Sequence, residues 1–141
     1  MNDPYDLARF LDAQERVYPA VVAELGRGRK TGHWIWYIFP QIAGLGSSAM
    51  SRRYSIGCVD EARAYLAHPV LGRRLRECVG QVMNISDKTA EQVFGSLDAI
   101  KFRSCLTLFG AAGVDPLFEQ ALDRYYGGSP DEATLRLLAR A

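Results

Sequence analysis

Residues 29–54, RKTGHWIWYIFPQIAGLGSSAMSRRY, concentrate the side chains of this 141-residue chain that are equipped for recognition chemistry. Arg29 and Lys30 are donors without acceptors, suited to phosphate or carboxylate. Trp34 and Trp36, the chain's two tryptophans, offer aromatic faces for a ring and indole N–H donors. His33 and Gln41 add polar groups that can hydrogen-bond a ligand. Gly44, Gly46, Ser47 and Ser48 form a small-residue loop whose N–H groups and hydroxyls would face an anion if a helix starts at Ser48, with Arg52, Arg53 and Tyr54 just inside that helix. GLGSS lacks the lysine of a phosphate-binding P-loop and follows no strand pattern, so it is an anion-binding loop of a different kind, or a turn with a helix cap. The set fits a small anionic, ring-bearing ligand such as a nucleotide. Outside it, Lys101 lies in a strongly apolar stretch with Asp98 three residues before and Cys105 four after, so it either pairs with Asp98 or lines a cavity. Asp123 to Asp131, DRYYGGSPD, could supply a carboxylate near the same cavity, Asp123 as the candidate, with Asp131 explained by helix capping.

Helices must position these groups. Asp3-Pro4, Asp115-Pro116 and Ser129-Pro130 each read as a cap followed by proline in the first turn, and Thr89 with Gln92 reads as a capping box. Pro19 opens a second short helix that stops at Gly26 and Gly28. A helix from about Asp60 ends at His68-Pro69, where His68 takes a capping or surface role. Leu71, Leu75, Cys78, Val79 and Val82 make an amphipathic stripe, with Arg73, Arg74 and Arg76 as its solvated side. Between Ser96 and Phe109 apolar residues, Leu97 and Ile100 included, run most of the way round, which predicts a central buried helix near 96–110. Neither a hairpin signal nor sustained apolar alternation supports a sheet. The expected fold is all-α: one compact domain over 1–141, several short helices around that central one.

Composition narrows the function. With 48% hydrophobic residues the chain can form a core and is not disordered. Lys and Arg total 17 against 16 Asp and Glu, a net charge of +1, which disfavours nucleic acid as a partner. The balance is global only: Arg27, Arg29, Lys30, Arg52 and Arg53 flank a stretch without a single acidic residue. Cys58, Cys78 and Cys105 have neither disulfide-framework nor zinc spacing and read as small core residues. No metal or cofactor is expected. The N-terminus has no signal-peptide pattern and no apolar run is long enough for a membrane span, so a cytoplasmic protein is expected.

HW-x-W-x-x-FPQ from His33, the Tyr54-x-Ile56 that follows, YL-x-HP-x-LG from Tyr65, and DAIKFRSCLTLF from Asp98 resemble a bacterial family of small uncharacterised proteins, over nearly the whole chain. Its members often carry the label calpastatin, which denotes a disordered protease inhibitor and does not fit this composition. The resemblance implies a compact all-α fold like that of a mycobacterial hypothetical protein. A shorter similarity, Lys101-Phe102 and Asp123 to Gly127, is to the ADP-ribose-processing family that includes the bacterial swarming protein. It implies that Lys101 and Asp123 flank an N-glycosidic bond, Asp123 stabilising positive charge while Arg29 or Lys30 holds phosphate. The competing expectation is a non-catalytic module in which Trp34, Trp36, Tyr37 and Phe39 form an exposed patch that docks a partner or a second copy.

Overall fold

The structure, a computed structural model, describes residues 2–141. Among them are ten helices: α1 Ala8–Gln14, α2 Tyr18–Gly26, α3 Ile35–Ile38, α4 Ala49–Arg53, α5 Val59–Ala67, α6 Leu71–Met83, α7 Ala90–Phe94, α8 Ser96–Ala111, α9 Leu117–Tyr126 and α10 Glu132–Arg140. The fold is all-α, and α8 is its axis, packing against α9, α7, α10, α5 and α3. The only pairing of extended backbone among the described residues is an isolated parallel bridge between Ile42 and Ile56.

Local chemistry explains most boundaries. The Thr89 hydroxyl accepts from Gln92 N–H at 3.1 Å and the Gln92 amide oxygen accepts from Thr89 N–H at 2.8 Å, the reciprocal capping box. His68 ends α5 in extended backbone, and its Nδ1 accepts from Val70 N–H at 3.1 Å and Leu71 N–H at 3.2 Å, capping the next helix. Gly127 ends α9 in the left-handed region, φ 62°. Two starts differ from the sequence reading. Asp3 does accept from Leu7 and Ala8 N–H, but α1 begins only at Ala8, leaving Pro4 in a preceding turn. The cap of α10 is Asp131, not Ser129, because its carboxylate accepts from Thr134 N–H at 2.9 Å.

The core is a continuous cluster centred on α8. Phe102 stacks on Phe94 with centroids 4.6 Å apart and meets Phe39 edge-on at 4.9 Å, so α3, α7 and α8 share one aromatic layer. Gly72 lets α6 approach the end of α5: a Cβ there would lie 2.1 Å from the Leu66 carbonyl oxygen. The expectation of burial all round α8 is corrected at two positions, since Leu97 and Ile100 are 73% and 60% exposed. No helix covers that side of α8. Likewise, of the α6 arginines Arg73 is exposed and the other two are half-buried. Arg74 lies over the Tyr18 ring at 4.7 Å and Arg76 pairs with Asp115 at 2.8 Å. Both are committed to these partners, so the three arginines do not form one free basic face.

The two faces of α8 therefore differ in their tolerance of substitution. Phe102→Ala is expected to destabilise by about 3–5 kcal/mol. Ile100→Ser, two positions away, should stay within about 0.5 kcal/mol. Urea melts of the two variants check this, and equal losses would contradict the assignment of faces.

Candidate functional site

The uncovered stripe of α8 faces the segment after α3 across a cleft of about 660 Å³. Leu97, Ile100, Lys101 and Ser104 line one side. Trp36, Gln41, Ile42, Leu45, the Gly46-Ser47-Ser48 turn, Ser51 and Tyr54 line the other, and Asp131 and Ala133 close one end. The second wall is a loop held at its base by the Ile42–Ile56 bridge, with Ala43 N–H donating to Ile56 C=O at 2.8 Å and Ile56 N–H to Gln41 C=O at 2.9 Å. Within it Ser48 caps α4, accepting from Ser51 N–H at 3.1 Å. Gly44, at φ 102°, lies against Leu137 of α10. Arg9 of α1 pins the far side of the loop, donating to the carbonyls of Arg53 and Ser55, both at 2.8 Å, and pairing with Glu61 at 2.9 Å. The end wall is tied to α8 through Asp131 N–H, which donates to Thr107 Oγ1 at 2.9 Å.

Lys101 Nζ lies 5.2 Å from the Trp36 ring centroid and 3.5 Å from Asp98. The carboxylate of Asp98 is held more closely by Lys30, at 2.6 Å, and Lys30, with its side chain only 4% exposed, also donates to Gly32 C=O and lies over the Trp34 ring. Asp98 is thus neutralised by one lysine while the other stays over the indole face, a cation–π geometry that keeps the ammonium at the cleft. Tyr54 packs edge-on against Tyr37 at 5.3 Å.

Six of the residues predicted for a site converge on this cleft: Trp36, Gln41, Ser47, Ser48, Tyr54 and Lys101. Lys30 and His33 instead line an adjoining depression of about 400 Å³ that shares Trp36, Leu97 and Lys101 with it. Arg29 is exposed and lines neither. Trp34 is buried, its Nε1–H donated to Glu24 at 3.0 Å, so it is a core residue that supports the neighbouring loop. Asp123 lines a separate depression with Glu119 and Leu135, and the structure does not bring it together with Lys101. The expected exposed aromatic patch is likewise absent, because Trp34 and Phe39 are buried and Trp36 and Tyr37 half-buried. Lining residues that sequence reading passed over include Leu45, Ser51 and Ser104. Asp131, at the end of the stretch expected to supply a carboxylate, does line the cleft but is held as the cap of α10. One signal was available: 97, 100, 101 and 104 are spaced i, i+3, i+4, i+7, a single helical stripe.

The cleft carries one lysine and one carboxylate, and that carboxylate, Asp131, is committed to its helix cap. Its other groups are hydroxyls, an amide and apolar surface. No lining histidine, cysteine or glutamate offers a base or nucleophile. Cys78 and Cys105 are buried in the core, and burial raises both thiols, Cys78 to about 12, which removes them from thiolate chemistry. Among the described residues no group of three or more His, Cys, Asp or Glu side chains could hold a metal ion, and no helix is long and apolar enough to cross a membrane.

Fold and cleft together define an all-α protein with a cavity of small-ligand size. The chain belongs to the family described as "Protein of unknown function (DUF1810)", which matches residues 4–138. It is similar to the conserved hypothetical protein Rv1873 from Mycobacterium tuberculosis, whose 1.38 Å crystal structure aligns with a TM-score of 0.95 and 48% identity over 97% of this chain and 99% of that one. Among curated proteins none matches. These relationships assign no activity, and the function is unknown.

The loop bearing Lys30 depends on Glu24, whose Oε1 accepts from Thr31 N–H at 2.7 Å, Gly32 N–H at 2.8 Å and Trp34 Nε1–H at 3.0 Å. Burial alone would raise this carboxyl, but the hydrogen bonds from Gly32, Thr31 and Trp34 outweigh burial and hold it below its ordinary value. A depressed carboxyl stabilises the fold above the unfolded value, about 4.3, and that contribution is lost as pH falls through the lower folded value. Glu24→Gln is therefore expected to cost about 1–3 kcal/mol at neutral pH. It should also flatten the decline in melting temperature on acidification. An unchanged acid limb in the variant would contradict this role.

Proposed function

We propose that the protein binds a small anionic, ring-bearing ligand of nucleotide type in the cleft between α8 and residues 36–54. The observation that carries this reading is the convergence of Trp36, Gln41, Ser47, Ser48, Tyr54 and Lys101 on one cavity, with the only lysine of that cavity seated over an indole face. Lys101 supplies the charge for a phosphate, and Trp36, Ile42, Leu45, Leu97 and Ile100 supply apolar surface for a base. The serines and Gln41 supply hydroxyl and amide groups for a sugar. The reading takes residues 1–141 as one ligand-binding domain, and the unpaired, mostly buried thiols fit work in the cytoplasm. Binding is supported more directly than N-glycoside cleavage, because Asp123, the carboxylate that cleavage assigned, belongs to another depression.

Thermal melting with AMP and ADP-ribose as probes tests the proposal. At about a hundred times its dissociation constant a ligand adds about 2.7 kcal/mol, a rise of roughly 5–10 °C for a chain of this size. Lys101→Met should remove most of the shift while leaving the unliganded melting point nearly unchanged. No shift with either probe at millimolar concentration would overturn the proposal.

The exposure of Leu97 and Ile100 favours a second reading, self-association through the rim of the cleft. Sedimentation that detects a dimer, and its loss in Leu97→Ser/Ile100→Ser, would support that reading. A strictly monomeric wild-type chain would end it.

A further inference from the structure

The residues expected to bind one ligand lie in two depressions that meet along a common wall of Trp36, Leu97 and Lys101. The smaller, about 400 Å³, adds Lys30, His33 and Phe94 to that wall. Its one carboxylate, Asp98, is already matched by Lys30 at 2.6 Å, so the remaining charge of the depression is the ammonium of Lys101. Lys30 spends donors on Gly32 and Asp98, leaving one of its three N–H groups. The larger depression has apolar, hydroxyl and amide lining, one carboxylate, Asp131, held in its helix cap, and no cation except the same Lys101. Lys101 therefore sits where a ligand in either depression would place its charge, and only the smaller one has further basic side chains, Lys30 and His33, beyond it.

We propose that the smaller depression is a second anion subsite, and that the ligand is two-ended. Its nucleoside occupies the larger cleft, one phosphate meets Lys101 at the shared wall, and a further phosphate lies past Trp36 beside Lys30 and His33. The ligand class is then a nucleoside diphosphate or a pyrophosphate-linked nucleotide rather than a monophosphate. This rests on the reading of the main cleft given above, and it makes Lys30 and His33 specificity-determining residues for the second phosphate.

Calorimetric titration of AMP and ADP into the wild-type protein and a His33→Glu variant tests it. His33 is exposed, so the variant should fold, and its melting point verifies that. The wild type is expected to bind ADP at least about tenfold more tightly than AMP, the scale of one added charge-assisted hydrogen bond. His33→Glu should erase that preference by repelling the second phosphate while leaving AMP affinity within about twofold, since the two probes share the Lys101 contact. Equal affinities in the wild type, or an ADP preference that survives His33→Glu, would overturn the second subsite and leave the main cleft standing. Failure of both nucleotides to bind would overturn the two proposals together.

Discussion

Asp98 stands between two lysines and is shared unequally. Lys30 approaches to 2.6 Å with its side chain 4% exposed, whereas Lys101 stays at 3.5 Å and remains about a third exposed. An ammonium that deep requires a compensating carboxylate, because an unpaired buried charge is among the most destabilising features a fold can contain. That requirement anchors the loop after α2 to the first turn of α8. The anchorage is doubled by Lys30 N–H, which donates to Val93 C=O at 2.8 Å, and extended backward by Glu24, which gathers Thr31, Gly32 and Trp34. Trp36 can stand beside Lys101 because the chain leading into α3 is fixed at both ends of this relay.

The same helix that receives this ion pair serves as both core and cavity wall. Phe102, Cys105, Leu106 and Phe109 turn one face toward the other helices and are wholly buried. Leu97, Ile100, Lys101 and Ser104 turn another toward the cleft. Across the cleft α3 divides in the same way. Trp36 lies in the helix and borders the cavity, whereas Phe39 leaves it at φ −122°, ψ 74° and drops into the aromatic layer against Phe102. Stability and site geometry are therefore coupled through α8, since a shift of Phe102 in its layer would displace Lys101 one residue away.

Much of this was legible in the sequence, and for identifiable reasons. Caps and breakers act locally, so Thr89 with Gln92, His68-Pro69 and Gly127 announced their roles without tertiary information. The composition of 29–54 pointed to one wall of the cleft, where Trp36, Gln41, Ser47, Ser48 and Tyr54 stand. What was not legible was direction. Arg29 and Lys30 are neighbours of the same charge, yet one points to solvent and the other is buried against Asp98. Trp34 and Trp36 differ by two residues and fall on opposite sides of the core boundary. Leu97 and Ile100 looked like core because apolar residues on a helix normally are. Only the standing-off of the 41–54 loop, set by the Ile42–Ile56 bridge and Arg9, leaves them uncovered. Asp123 failed as a partner of Lys101 for a similar reason: α9 and α10 present it to a different depression.

The charge balance acquires a physical meaning from this arrangement. Of the basic residues flanking the acid-free stretch, Lys30 alone is drawn inward, and Arg27, Arg29, Arg52 and Arg53 stay exposed. Arg53 reaches the cleft only through the Tyr54 hydroxyl, to which its Nε–H donates at 3.2 Å, and the other three line no part of it. Their contribution to an anion bound there would be a field rather than a contact, and such a field acts over about 8–10 Å at moderate salt. Lys101, the cation common to both depressions, comes from α8, a different part of the sequence, where it lies over the indole of Trp36. Under the proposed reading a diffuse attracting charge is separated from fixed contact groups, so association would respond to ionic strength while the choice of ligand would rest on Lys101 and, for a second phosphate, on Lys30 and His33.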